Sequence, residues 1–127
     1  MLIKVTGIVE VMPRKIISFS TTFGNAVGFW VGEEPVIGRN YHIEIEIDTI
    51  LKYGISINKS SINSFSISRK NSQIKISGRL ESVDDDGFTI IKLEDYIVSF
   101  LSEGVTELVG FYVDILIDYI TLFQYNL

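Results

Sequence analysis

Tyr41-His42-Ile43-Glu44-Ile45-Glu46-Ile47-Asp48-Thr49 alternates without a break. Tyr41, Ile43, Ile45, Ile47 and Thr49 fall on one side, and His42, Glu44, Glu46 and Asp48 on the other. Successive side chains of a β-strand point to opposite faces, so this stretch reads as an antiparallel strand with one face in a core and one in solvent. The same rhythm occurs near the start, where Ile3, Val5, Gly7, Val9 and Val11 alternate with Lys4, Thr6 and Glu10. It returns where Ile74, Ile76, Gly78 and Leu80 alternate with Lys75, Ser77, Arg79 and Glu81. Turn residues punctuate these runs at Met12-Pro13-Arg14, Phe23-Gly24-Asn25, Lys70-Asn71-Ser72, Asp85-Asp86-Gly87, Glu94-Asp95 and Ser102-Glu103-Gly104. No long segment carries a helical period; at most one helical turn is expected, near Ile50–Tyr53 or Val105–Leu108. The fold class is all-β.

The two ends of the chain resemble each other. Ile3-Lys4-Val5-Thr6-Gly7-Ile8-Val9-Glu10 matches Ile74-Lys75-Ile76-Ser77-Gly78-Arg79-Leu80-Glu81 at an offset of 71, and Ile43–Asp48 matches Val113–Asp118 at an offset of 70. Gly38 and Gly110, each preceded by two aliphatics, stand before the second matching strand. The order and near-equal spacing point to an internal duplication, with repeats at 1–55 and 72–127 joined by 56–71, which adds a hairpin arm at Ile62–Ser68. A half of this size forms one small sheet with an apolar face and nothing to cover it, so the halves are expected to pack on each other. The expectation is one domain, an eight- or nine-stranded antiparallel barrel or sandwich made of two similar halves. Gly7 and Gly78, both mid-strand, are expected to mark bends.

At 127 residues, 46% hydrophobic and 21% charged, the chain has the make-up of one globular domain. It has no cysteine, which excludes disulfides, thiolate metal sites and a cysteine nucleophile. The first residues lack the basic and apolar blocks of a secretory signal, and the apolar stretch Leu108–Phe123 is interrupted by Asp114 and Asp118, so a cytoplasmic location is expected and no membrane span. The net charge of −5 is unevenly spread. Residues 49–80 carry six positive charges (Lys52, Lys59, Arg69, Lys70, Lys75, Arg79) and no acid, whereas residues 81–127 carry ten acids and one base, Lys92.

Catalytic residue sets are missing. The single histidine, His42, sits in an acidic strand, and no Gly-x-Ser-x-Gly, phosphate-cradling loop or HExxH occurs. His42, Glu44, Glu46 and Asp48 share a strand face, but ligands about 7 Å apart along one strand do not chelate, so no metal is expected. Asp84-Asp85-Asp86-Gly87 reads as a turn between strands and not as a calcium loop. The candidate site is a partner-binding one: Asp85, Asp86, Glu94, Asp95, Glu103 and Glu107, with Glu44, Glu46, Asp114 and Asp118 as the alternative face. No catalytic residue and no cofactor is expected. The aromatic residues, mostly within apolar runs, are read as core.

Gly78-Arg79-Leu80-Glu81-Ser82-Val83, an acidic turn, Leu93-Glu94-Asp95 and Gly110-Phe111-Tyr112-Val113 together resemble OB-like small barrels over about 40 residues. The whole chain, by its size, β-content, charge and the run from Gly38 to Asp48, also resembles the small acidic immunity proteins of bacterial polymorphic and contact-dependent inhibition toxins. That resemblance implies a cognate toxin as partner, possessing a basic surface where the toxin is a nuclease, which an acidic chain would cover. The OB-like resemblance implies a binder of nucleic acid or oligosaccharide using Lys52–Arg79; the acidic total disfavours phosphate. A third expectation is a structural subunit that assembles through exposed strand edges.

Overall fold

The alternating stretch forms strand β4 (Asn40–Glu46), with Tyr41, Ile43 and Ile45 buried and Glu44 and Glu46 in solvent. Ile47, just beyond the strand, is also buried, whereas Thr49 is exposed and leaves the inward row. The computed structural model describes residues 1–10 and 12–125. Among these, eleven further strands follow the chain: β1 (Leu2–Glu10), β2 (Ile16–Thr21), β3 (Gly24–Val31), β5 (Leu51–Lys52), β6 (Ile57–Lys59), β7 (Ser66–Lys70), β8 (Gln73–Val83), β9 (Phe88–Leu93), β10 (Tyr96–Glu103), β11 (Tyr112–Ile117) and β12 (Thr121–Gln124). The one helical element among the described residues is a 3-10 turn at Thr106–Leu108, the second of the two places where a turn is expected.

The strands form a closed five-stranded barrel, β1-β2-β3-β12-β4, and a second, nearly closed sheet ordered β5-β10-β9-β8-β11-β6, with β7 added alongside β8. The all-β class holds, but the expected eight or nine strands in one barrel or sandwich do not. Twelve strands divide into two small sheets, because a five-stranded sheet with strong twist already closes on itself. The pairing is also not wholly antiparallel: β3 runs parallel to β12, and β5 parallel to β10.

Each sheet takes its closing strand residues from a segment that follows the other sheet's own strands in the chain. In the first barrel, β12 lies between β3 and β4, pairing Thr121, Leu122 and Phe123 with Phe29, Trp30 and Val31 on one side and with Glu46, Ile45 and Glu44 on the other. In the second, β5 pairs with β10 and β6 with β11, so the segment after β4 does for the second sheet what β12 does for the first. β1–β4 and β8–β11 therefore pair in the same sequential order, and the closing strands cross over.

The two mid-strand glycines, both expected to mark bends, stand differently: Gly7 lies at a register shift and Gly78 does not. The β1–β2 register shifts between Val5 and Gly7 and again between Ile8 and Glu10. The bulge turns the inward row out, so Val9 is 61% exposed and does not share the core side with Ile3 and Val5; Val11 lies outside the described residues. In β8 the shift falls between Leu80 and Ser82. Gly78 is instead the point where the strand's edge passes from β7, paired to Gln73–Ser77, to β9, paired from Arg79. A Cβ there would stand 2.7 Å from the Lys92 carbonyl oxygen, so only glycine admits that approach. The expected hairpin arm begins later than Ile62: Ile62 is exposed in a loop and β7 starts at Ser66.

A single buried cluster runs through both sheets, from Ile3, Ile17, Phe19 and Ile43 to Leu80, Ile91, Val113 and Ile115, and includes the closing-strand residues Leu51, Ile57 and Leu122. The Ile67 N–H donates to the Phe23 carbonyl oxygen at 3.0 Å, and the Ile45 N–H to the Tyr96 hydroxyl at 2.9 Å, tying the sheets together at two further places. No helix among the described residues is long and apolar enough to cross a membrane.

Candidate functional site

β9 and β10 form a hairpin whose inner face is built from Thr89, Ile91 and Leu93 against Val98, Phe100 and Ser102. Its buried hydroxyls are satisfied: Thr89 Oγ1 donates to the Gly87 carbonyl or shares a proton with Ser102 Oγ, 2.5 Å away. The outer face is unusual. Register places Phe88 opposite Leu101, Ile90 opposite Ser99 and Lys92 opposite Ile97. Phe88, Leu101 and Ile97 are each about half exposed, at 45, 46 and 51%. Both faces of this hairpin are thus largely apolar.

Carboxylates frame this face. Beyond Phe88 is the turn Asp84–Gly87, closed by Asp84, whose Oδ1 accepts from the N–H groups of Asp86 and Phe88, both at 2.9 Å. That leaves Asp85 and Asp86 pointing into solvent with no partner among the described residues. The Ser102 N–H bonds to the Gly87 carbonyl, which sets the exposed Glu103 at the same end. At the other end, the β9–β10 turn carries Glu94 and Asp95, both exposed.

The third side comes from the first barrel. Asp95, Tyr96, Ile97 and Ser99 line a cleft of about 340 Å³ together with Glu44, Ile45 and Tyr125. Glu44 and Glu46 line a neighbouring cleft with Ser99, Phe123 and Tyr125. Burial pushes the Tyr96 hydroxyl up to about 12, with Glu44 and Tyr125 adding charge repulsion and the Ile45 N–H partly opposing them. The Glu46 carboxyl is also raised, first by its hydrogen bond to Asp48 and then by desolvation and by the charge of Asp48.

The expected residues are therefore regrouped. Glu44 and Glu46, read from sequence as one face with Asp114 and Asp118, part from them: Glu44 shares a cleft with Asp95, and Glu46 lines the neighbouring one. Asp114 accepts from Ser77 Oγ at 2.6 Å and pairs with Lys75 Nζ at 3.8 Å, and Asp118 accepts from Gln73 Nε2 at 3.1 Å, so both are occupied within the second sheet. Glu107 is exposed in the 3-10 turn. Of the basic segment, Lys75 is paired with Asp114, Arg79 with Glu81 at 3.3 Å, and Lys59 stacks over the Phe111 ring at 4.1 Å; Lys52 lies beside Glu103 in register. Arg69 and Lys70 remain together, exposed, where β7 turns into β8.

Sequence reading missed the apolar outer row of Phe88, Ile90, Ile97 and Leu101. The signal was present: Phe88-Thr89-Ile90-Ile91 and Tyr96-Ile97-Val98-Ser99-Phe100-Leu101 carry no alternation of charged and apolar residues, so any strand they form has apolar groups on both sides. Among the described residues, no three His, Asp or Glu side chains converge as metal ligands would. Comparison with protein-family models, with curated proteins and with solved structures found no match.

Proposed function

We propose that the chain is a protein-binding module, most concretely an immunity protein that neutralises a cognate bacterial toxin domain by covering its active surface. The observation that carries this reading is an imbalance of charge at the surface. Among the described residues, Asp85, Asp86, Glu94, Asp95, Glu103 and Glu44 are exposed and in no salt bridge, while Lys75 and Arg79 of the basic segment are held by acids of the same chain. A partner with a basic active surface, such as a nuclease, would be steered to those carboxylates and its substrate excluded. In this reading the chain carries no catalytic residue, cofactor or metal, and works in the cytoplasm beside the toxin.

The strand order of the first barrel, with one parallel pair closing an antiparallel meander, supports the OB-like resemblance. The matching order of β1–β4 and β8–β11 supports an internal duplication whose repeats exchange closing strands. That resemblance keeps a second reading, a nucleic-acid or oligosaccharide binder using Lys52–Arg79, but Lys75 and Arg79 of that segment are held by acids and the chain's net charge is −5, which disfavours phosphate. The test is whether a neighbouring gene encodes a toxin domain and, where one does, co-expression with it. Rescue of growth and co-purification are expected. No rescue, together with salt-sensitive binding of a single-stranded oligonucleotide that Lys70→Ala weakens, would favour the second reading.

A further inference from the structure

We infer that the outer face of the β9–β10 hairpin is the docking surface, and that its occupant is a basic protein surface that sets apolar side chains on Phe88, Ile97 and Leu101. This assignment rests on the protein-binding reading and adds to it the place and the chemistry of contact.

Apolar groups also stand exposed on β1 (Leu2, Ile8, Val9) and where Val31 of β3 meets Phe123 of β12, but the β9–β10 hairpin sets three large ones between two acidic turns, and the outward faces of β4 and β8 are polar. β4 shows His42, Glu44 and Glu46; β8 shows Lys75 and Arg79. The aromatic on the outside of β3, Phe29, has Tyr119 against its face at 5.4 Å and the Arg14 guanidinium over it at 3.9 Å, both from this chain. Phe88, Ile97 and Leu101 have no such cover among the described residues and stand half in water on adjacent, hydrogen-bonded strands. Apolar groups gathered on one rigid sheet face and rimmed by charge form the core-and-rim pattern of a recognition surface.

The rim decides the occupant. Asp85, Asp86 and Glu103 bound one end, Glu94 and Asp95 the other, and Glu44 the flank; Lys92, beside Arg79, is the cation on the face itself. Nucleic acid would bring phosphates against these carboxylates. A second copy of the chain, related by a two-fold axis, would bring acid rim against acid rim. A partner with lysines and arginines around an apolar centre meets neither penalty.

The experiment compares Ile97→Lys/Leu101→Lys with Ile55→Lys/Ile62→Lys, which adds the same charge at exposed positions outside the hairpin. The probe is the purified product of a neighbouring gene that encodes a toxin domain, its binding followed by calorimetry. Expected is a loss of at least about a hundredfold in affinity for the hairpin pair and less than about threefold for the control pair. Should the hairpin pair misfold, amide shifts of the unaltered, isotope-labelled protein on toxin addition serve instead, and they are expected on Phe88–Leu101. Tight binding that ignores the hairpin, by either readout, overturns the docking face and leaves the protein-binding reading standing. A toxin domain that does not bind at all overturns that reading and this one with it. A dimer in sedimentation that Leu101→Lys dissolves, or oligonucleotide binding on this face, overturns the choice of occupant.

Discussion

The first barrel is closed by one unbroken strand, the second by two fragments. β12 pairs with β3 along Thr121–Phe123 and with β4 along Thr121–Gln124. Its counterpart is split into β5 and β6 by a turn in which Gly54 N–H bonds to the Ile57 carbonyl, and the N–H groups of Ile55 and Ser56 to the Lys52 carbonyl. The turn leaves Ile55 76% exposed and opens a cleft of about 250 Å³ lined by Thr49, Leu51, Ile55, Gln73 and Asp118. The difference teaches where cooperativity comes from. Neither sheet is complete without strand residues from outside its own run of the chain, so the two should rise and fall in stability together although one is closed tightly and the other loosely.

The strongest way to break that comparison is to damage each closing strand and watch the opposite sheet. Leu122 and Leu51 are fully buried, so Leu122→Ala and Leu51→Ala are each expected to cost about 2–5 kcal/mol. Trp30, the chain's one tryptophan, sits on β3 in the first barrel, where its Nε1–H donates to the Glu33 carbonyl at 2.7 Å. Its fluorescence in urea should nonetheless report the full loss from Leu51→Ala in the second sheet. A tryptophan transition unmoved by that change would mean that the sheets unfold independently.

The next effect concerns glycines. A Cβ on Gly24 would stand 2.0 Å from the Ile67 carbonyl oxygen, at the contact between the β2–β3 turn and β7, and its φ of +137° disfavours any side chain. Gly54, in the turn that splits the second closing strand, has φ +88° with open space around it. Gly24→Ala is therefore expected to cost about 3 kcal/mol or more and Gly54→Ala about 1 kcal/mol, read by thermal melts. Equal costs would show that the contact between the sheets carries little.

Smaller again is the tie through Tyr96. Tyr96→Phe leaves the Ile45 N–H without its acceptor and should cost about 1–2 kcal/mol. The pH dependence has a definite sign. The folded-state pKa of about 12 lies above the ordinary value of 10.0, so the phenol contributes stability that is fully present below pH 10 and is lost as pH rises toward 12. Wild type should lose stability over that window relative to the phenylalanine variant, and absorbance titration should show one tyrosine ionising late.

How much of this was legible beforehand depends on whether the cause is local. The inward row of β4 could be read directly, because alternation in Tyr41–Ile47 depends only on neighbouring residues and which face is wet. The turns at Asp84–Gly87 and Glu94–Asp95 were legible for the same reason. The exchange of closing strands was not. Thr121-Leu122-Phe123-Gln124 and Leu51-Lys52 are short and carry no alternation, and a parallel pairing with Phe29 or Ser102 leaves no mark in the sequence next to either partner. The acids were visible one by one, but their grouping was not: Glu44 joins Asp95 only because the sheets meet along β4 and β10, and Asp114 turns to Lys75 because β11 pairs with β8.

The smallest effect probes the acids on the tighter barrel. Glu46 lies on β4 and shares a hydrogen bond with Asp48, which raises its carboxyl above the ordinary 4.5. A raised acid favours the folded state while protonated, so its contribution is present below the unfolded value and is lost as pH rises through the folded one. Glu46→Gln removes this titration without removing the side chain, and the variant should gain on wild type as pH climbs from the carboxylate range toward neutrality. Because Glu46 is almost wholly in solvent, water and salt screen the repulsion and the gain should be no more than about a degree or two in Tm. The same substitution sharpens the picture of the docking side: Glu46 lines the outer cleft with Tyr125 and Phe123, away from Phe88, so toxin binding should weaken far less than with Ile97→Lys/Leu101→Lys. A loss as large as that pair's would move the centre of recognition from the second sheet to the first.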